Sequence, residues 1–253
     1  MEWSAPAVVL NVRPFGDADA LATVMTEAHG VHRGLVRGGA SRAKAATWLA
    51  GNLLVVQWTG RLSEQLGAFT GELVYAGAAL AMDDPLGLAM MTAVCTTADG
   101  AMPEREAHPR VFQGLVDLVP RIVSGESALT ALVGWELTLL SDLGYGLDLS
   151  DCAVTGQTEG LAYVSPRTGR AVTEAAAGIW RSRLLPLPGF LVGPDPPDYA
   201  AWRDGLRLTG HFLARDAFGL QHKPLPQARV MLYDRVSALA DAMDKDEETI
   251  HAG

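Results

Sequence analysis

Only two cysteines, Cys95 and Cys152, occur in the 253 residues, 57 positions apart. Thiols so few and so spaced make no disulfide framework, and a reducing, cytoplasmic setting is expected. Uninterrupted apolar runs of about 18 residues are also missing, so no membrane span is expected. The amino terminus, Met1-Glu2-Trp3-Ser4-Ala5-Pro6, lacks a basic start followed by an apolar core, and no signal peptide is read there. Enzyme signatures are missing too. The nearest approach to a phosphate-cradling loop, Gly38-Gly39-Ala40-Ser41-Arg42-Ala43-Lys44, lacks the glycine that should precede the lysine. No Gly-x-Ser-x-Gly elbow occurs, and neither cysteine sits in a nucleophile motif. His29-Gly30-Val31-His32 has ligand-like spacing without a Cys or second His pair, so a hairpin with solvated imidazoles is preferred to a metal site. No catalytic residue, cofactor or metal is therefore assigned.

A last absence is local. The chain holds 29 acidic against 20 basic residues, a formal charge of −9, yet no Asp or Glu falls between Gly30 and Ser63. That window of 34 residues holds Arg33, Arg37, Arg42, Lys44 and Arg61, a charge of +5, together with Trp48 and Trp58. Screening confines electrostatics to about 8–10 Å at physiological salt, so the local field outweighs the global sign. Unopposed cations interleaved with aromatics suit phosphates and stackable bases, with stacking worth about 1–3 kcal/mol per base. The bland reading is a solvated surface, with both tryptophans in the core. A second cluster, Arg203, Arg207, Arg215, Lys223 and Arg229 against Asp204 and Asp216, carries +3. It reads as a solvated helix face, as an extension of the basic track, or as a socket for an acidic peptide. The acidic stretch Asp241–Glu248 is one segment able to fold back on it.

With 49% hydrophobic and 19% charged residues the chain is an ordinary folded protein, long enough for two domains. Ala7–Val12, Leu21–Thr26, Gly34–Arg37, Leu53–Thr59 and Phe69–Tyr75 read as short strands. Five strands in about 80 residues suggest a small barrel, of which the oligonucleotide-binding barrel is one type. Beyond Ala78 apolar residues recur at three and four, predicting helices over Leu86–Ala98, Pro109–Ser124, Ala128–Leu143, Glu174–Leu184, Tyr199–Ala217 and Pro226–Ala242. Residues 147–172 read as irregular. The expected organisation is α+β: a five-stranded barrel domain over 1–80, an all-α domain over 81–242, and a flexible acidic tail over 243–253.

The run Val8-Val9-Leu10-Asn11-Val12-Arg13-Pro14-Phe15-Gly16-Asp17, followed by Thr26-Glu27-Ala28-His29-Gly30, resembles the amino-terminal signature of the RecO family of DNA repair proteins. The basic glycine loop Val36–Lys44, the stretches Trp135–Tyr145 and Leu147–Gly156, Pro186–Leu191 and His222–Arg229 are similar to later family landmarks, in the same order. The resemblance implies an oligonucleotide-binding barrel followed by a helical domain. It implies binding of single- and double-stranded DNA, strand annealing, and loading of recombinase onto DNA coated by single-stranded DNA-binding protein. Implied partners are DNA, RecR and the acidic tail of the coating protein, in a cytoplasmic, nucleoid-associated setting. By position Arg13, Arg33, Arg37, Arg42, Lys44 and Arg61 take the DNA-contact role; the stacking aromatic, Trp48 or Trp58 with Trp58 assigned to the site, comes from the basic window itself. The partner-binding role is given to Arg203, Arg207, Arg215, Lys223 and Arg229 on their charge alone, not on the resemblance. Many family members carry a four-cysteine zinc module in the middle of the chain. Here Cys152 stands in the first position, Thr155 in the second, and Ser165–Gly169 holds no cysteine, so 147–172 is expected to be a zinc-less remnant. The rival function from the residues alone is a protein-interaction adaptor whose helical domain binds acidic peptides while the barrel serves as scaffold.

Overall fold

The computed structural model describes residues 1–62 and 66–251, without the side chains of Ala43 and of residues 246–251. Ser63, the end of the acid-free window, and the last two residues of the expected tail lie outside the described residues. The chain divides into two compact units, Met1–Ala128 and Leu129–Gly253.

In the first unit β1 (Glu2–Phe15), β2 (Asp19–Thr26), β3 (Gly30–Val36), β4 (Leu53–Thr59) and β5 (Gly67–Tyr75) close into a barrel in the order β1-β2-β3-β5-β4. Period-2 alternation sorts β4: Leu54, Val56 and Trp58 point into the core while Val55, Gln57 and Thr59 are exposed. Ala7, Val9, Ala22, Val24 and Phe69 complete that interior. Strand β1 closes the barrel by pairing with β4 through its first half and with β2 through its second. Following paired residues around the barrel, Arg13 to Leu21, Leu35, Ala68, Thr59 and Glu2, returns to β1 11 residues earlier, with a register shift between Val9 and Asn11. That stagger tilts the strands steeply, as closure of so few strands requires.

Helices α1 (Arg42–Ala45) and α2 (Gly77–Leu80) are single turns, followed by α3 (Pro85–Ala101) and α4 (Pro109–Ser124). Asp84 starts α3, its carboxylate accepting the Leu86 and Gly87 N–H groups, with Pro85 in the first turn. Helix α3 packs on β1 and α4 on β2. Seven of the eight residues of β2 are therefore buried, on both faces rather than one. The break in packing thus falls two helices beyond the change of sequence texture near residue 80.

The second unit contains α5 (Ala128–Asp142, whose first residue ends the first unit), β6 (Leu161–Val164), β7 (Ala171–Thr173), α6 (Glu174–Ala177), β8 (Leu185–Pro186), α7 (Tyr199–Phe212) and α8 (Gln227–His251). It departs from the all-α expectation. A three-stranded sheet, β7-β6-β8, occupies the stretch read as irregular and its sequel. Strands of two to four residues are too short to display an alternation. The helix expected over Glu174–Leu184 stops after four residues at Gly178, where φ is +47°, and an exposed 3-10 segment follows. Residues 243–251, expected as a flexible tail, continue α8.

Candidate nucleic-acid interface

Five exposed cations lie at or near strand ends of the barrel and in the connection between β3 and β4. Arg37 follows β3, Arg61 follows β4, and both line an open groove with Leu35, Gly60, Leu66 and Gly67, whose wall also includes Glu2. Arg42 and Lys44 lie in α1, and Lys44 Nζ donates to the Arg37 carbonyl at 3.0 Å. Arg13 lies near the tip of the β1–β2 hairpin. That tip is tied to the glycine loop by Gly38 N–H donating to Asp19 Oδ1 at 2.7 Å and by Ala40 N–H donating to the Ala18 carbonyl at 3.0 Å. All five side chains are exposed, and none has an acidic partner among the described residues. Their positions at strand ends and in connections expose them, because chain reversals of a barrel face water.

Two residues assigned to this role are placed elsewhere. Arg33 is neutralised: its guanidinium lies 2.5 Å from Glu104 and 3.8 Å from Asp99, both contributed by the α3–α4 region. The acid-free stretch of sequence is not acid-free in space. Trp58 is 1% exposed and fills the barrel interior, sealed under Gly67, where an added Cβ would stand 2.4 Å from the indole nitrogen. It offers no face to a base, and Trp48 is core as well. The aromatic residue of the barrel that is exposed is Phe15, at the hairpin tip.

The His29/His32 reading also needs correcting. The residues do form a hairpin, but only His29 is partly open, stacked on Trp3 with centroids 4.1 Å apart. His32 is buried against Trp58, Trp3 and Phe69, with neither ring nitrogen hydrogen-bonded. Burial, then the charges of Arg105 and His29, push its pKa down to about 4, so the imidazole is neutral at physiological pH.

The Arg203–Arg229 cluster largely dissolves on folding. Arg229 is 1% exposed; its guanidinium donates to Glu136 Oε1 at 2.5 Å and to Glu136 Oε2 at 2.9 Å, and to the Leu206 carbonyl and Thr209 hydroxyl. Thr209 donates back to Glu136. This closed network joins α5, α7 and α8, and Arg229 is a structural residue rather than a partner-binding one. Arg203 faces Asp204 at 3.7 Å and Asp241 at 3.4 Å, so one residue of the acidic stretch does meet the cluster. Arg215 pairs with Asp216 at 2.7 Å and straps down the Pro166 and Arg167 carbonyls, its guanidinium over Phe212. Only Arg207 and Lys223 stay exposed without a close ion pair among the described residues, and the charge of Arg207 still acts on Asp204.

Cys152 does not make a metal centre. Its buried sulfur accepts the Thr173 N–H at 3.4 Å and packs with Val172 and Ala177, beneath Leu161 and Tyr163. One thiol supplies one of the four donors that structural zinc needs, and no group of three ligating side chains stands among the described residues. The donor set does not fit zinc.

A closed five-stranded barrel with exposed cations, followed in the chain by helices and a small sheet, belongs to the class of small-barrel proteins extended by a helical unit. The chain belongs to the recombination protein O family of DNA repair proteins. Residues 1–76 match the family model for the recombination protein O N terminal, and residues 82–226 match that for its C terminal. It is 55% identical over 244 residues to the DNA repair protein RecO of Granulibacter bethesdensis, covering 95% of this chain and 98% of the relative. The RecO proteins of Gluconacetobacter diazotrophicus and Acidiphilium cryptum are 54% and 56% identical, each over 94% of this chain and 96% of the relative. No helix among the described residues is long and apolar enough to cross a membrane.

Proposed function

We propose that the chain is a non-enzymatic recombination mediator of DNA repair. It binds single- and double-stranded DNA on the exposed cations of its barrel, anneals complementary strands, and helps load recombinase onto coated single strands. The observation that carries this reading is the set Arg13, Arg37, Arg42, Lys44 and Arg61, all exposed in a protein of net charge −9. Membership in a DNA repair family supports it, and so does the strand order with its steep stagger, which suits an oligonucleotide-binding barrel. The mechanism is charge neutralisation. Two phosphate backbones held on cationic surface lose their mutual repulsion and pair, with no bond made or broken. RecR and the acidic tail of single-stranded DNA-binding protein are the partners, with Arg207 and Lys223 the remaining exposed candidates for the tail. The setting is cytoplasmic, at the nucleoid, and 147–172 is a zinc-less remnant of the family's module. The adaptor alternative loses its main support, because Arg203, Arg215 and Arg229 are engaged within their own unit.

Titration of the full chain with a labelled single-stranded oligonucleotide at several salt concentrations tests the reading. Five phosphate contacts predict a slope of log affinity against log salt near −3.5, from roughly −0.7 per phosphate. Arg37→Glu with Arg42→Glu weakens binding to all sequences and makes the slope shallower by about 1.4. A flat salt response in the unaltered protein, or unchanged affinity in the double variant, rejects this site.

A further inference from the structure

Phe15 is 52% exposed at the carboxyl end of β1. Folding gains little from a ring left in water, so its placement calls for another account. Arg13 and Phe15 are two residues apart on one strand and so share a face, with their Cα atoms about 7 Å apart. The partly buried Val12 between β1 and the core fixes which face that is. The hairpin presenting them is stiff. Pro14 locks its own φ near −65°, and Gly16 turns the chain at φ +65°. The two hydrogen bonds from the glycine loop to Ala18 and Asp19 hold the tip against the segment carrying Arg37, Arg42 and Lys44. The acids nearby are Asp17 and Asp19, and Asp19 is already accepting the Gly38 N–H.

A half-exposed aromatic ring near unpaired cations, on a hairpin tied to the glycine loop, matches a ligand that alternates flat apolar rings with negative charge. A single-stranded nucleic acid is such a ligand. A duplex is not, since its bases are already stacked on one another. We propose that Phe15 is a base-stacking platform: one unpaired nucleobase lies on its ring while the neighbouring phosphates meet Arg13 and the Arg37–Lys44 loop. This rests on the DNA-binding reading above and adds to it a contact that distinguishes single strands from duplexes.

The test compares the full chain with Phe15→Ala and Phe15→Trp, using anisotropy of three labelled ligands: oligo-dT, a duplex, and an abasic oligodeoxynucleotide of equal length. Phe15→Ala is expected to weaken oligo-dT binding roughly 5- to 150-fold, the equivalent of about 1–3 kcal/mol for one stacked base. Duplex and abasic affinities, the salt slope and the melting temperature stay as they were, and Phe15→Trp restores oligo-dT binding. Unchanged oligo-dT affinity in Phe15→Ala overturns the proposal, and so does an equal loss on the abasic strand. The Arg37→Glu/Arg42→Glu variant separates the two ideas. If it weakens binding while Phe15→Ala does not, only the stacking platform fails; if neither weakens binding, the DNA-binding site itself is wrong.

Discussion

The acid-free window of the barrel and the Arg203–Arg229 stretch both look basic in sequence, at +5 and +3, and fold into opposite electrostatic states. In the barrel Arg37 and Arg61 follow strand ends and Arg42 and Lys44 sit in the single turn α1, all exposed, and only Arg33, inside β3, meets acids. In the second unit, α7 and α8 pack side by side, and cations on inward or flanking positions end up against carboxylates or carbonyls. A buried guanidinium without a partner would cost several kcal/mol, so packing selects partners for it. Formal charge along a chain is therefore a poor measure of charge available to a ligand. Available charge is what remains after folding has used its share.

The largest expected effect bears on Arg229. Arg229→Ala leaves Glu136 buried and uncompensated, and should destabilise the chain by about 3–5 kcal/mol in urea titration. Replacing both residues together, Glu136→Leu with Arg229→Met, should recover much of that loss. An Arg229→Ala protein of full stability that has lost peptide binding would break the contrast drawn here. A second test concerns the barrel interior rather than its rim. His32 has a folded pKa of about 4 against about 6.5 for a free imidazole, so the unfolded chain takes up a proton that the folded chain refuses. Stability should be indifferent to this group above pH 6.5 and fall as pH drops from 6.5 towards 4. Thermal midpoints across that range should flatten in His32→Leu, and an equally steep decline in that variant would clear His32 of the effect. The smallest effect is expected at Arg33. Because Glu104 and Asp99 already neutralise it, Arg33→Ala should change oligonucleotide affinity less than Arg37→Ala does. The half-exposed pairs should contribute no more than about 1 kcal/mol to stability. A loss matching that of Arg37→Ala would show that those acids do not shield it.

How much of this was legible in the sequence depended on range. The strand Leu53–Thr59 announced itself by alternation and was found with the bounds expected of it, as was the helix Pro109–Ser124. Their signals are local, carried by residues two or three to four positions apart. Strands β6 to β8 carry no such signal, and a helix read through Gly178 looked continuous because its apolar spacing survives the break. The direction of Trp58 needed the register of the whole barrel, since alternation says which residues share a face but not which face is inside. Pairing was the least legible. Nothing near Arg33 hints at Glu104, 71 positions on, and nothing near Glu136 points to Arg229, 93 positions on.

The closure of the barrel by a shared first strand also governs when the fold can appear. Glu2 pairs with Thr59, and β3 reaches β4 only through β5, so the ring is incomplete until residue 75 has been made. During synthesis the first strand waits with one edge open while its closing partner is still being added. Contacts between residues so distant in the chain form slowly, whereas helices such as α3 and α4 draw on neighbours. Of the exposed cations, Arg13, Arg37, Arg42 and Lys44 are carried by β1 to β3 and the loop after them, and Arg61 alone waits for the strands that close the ring.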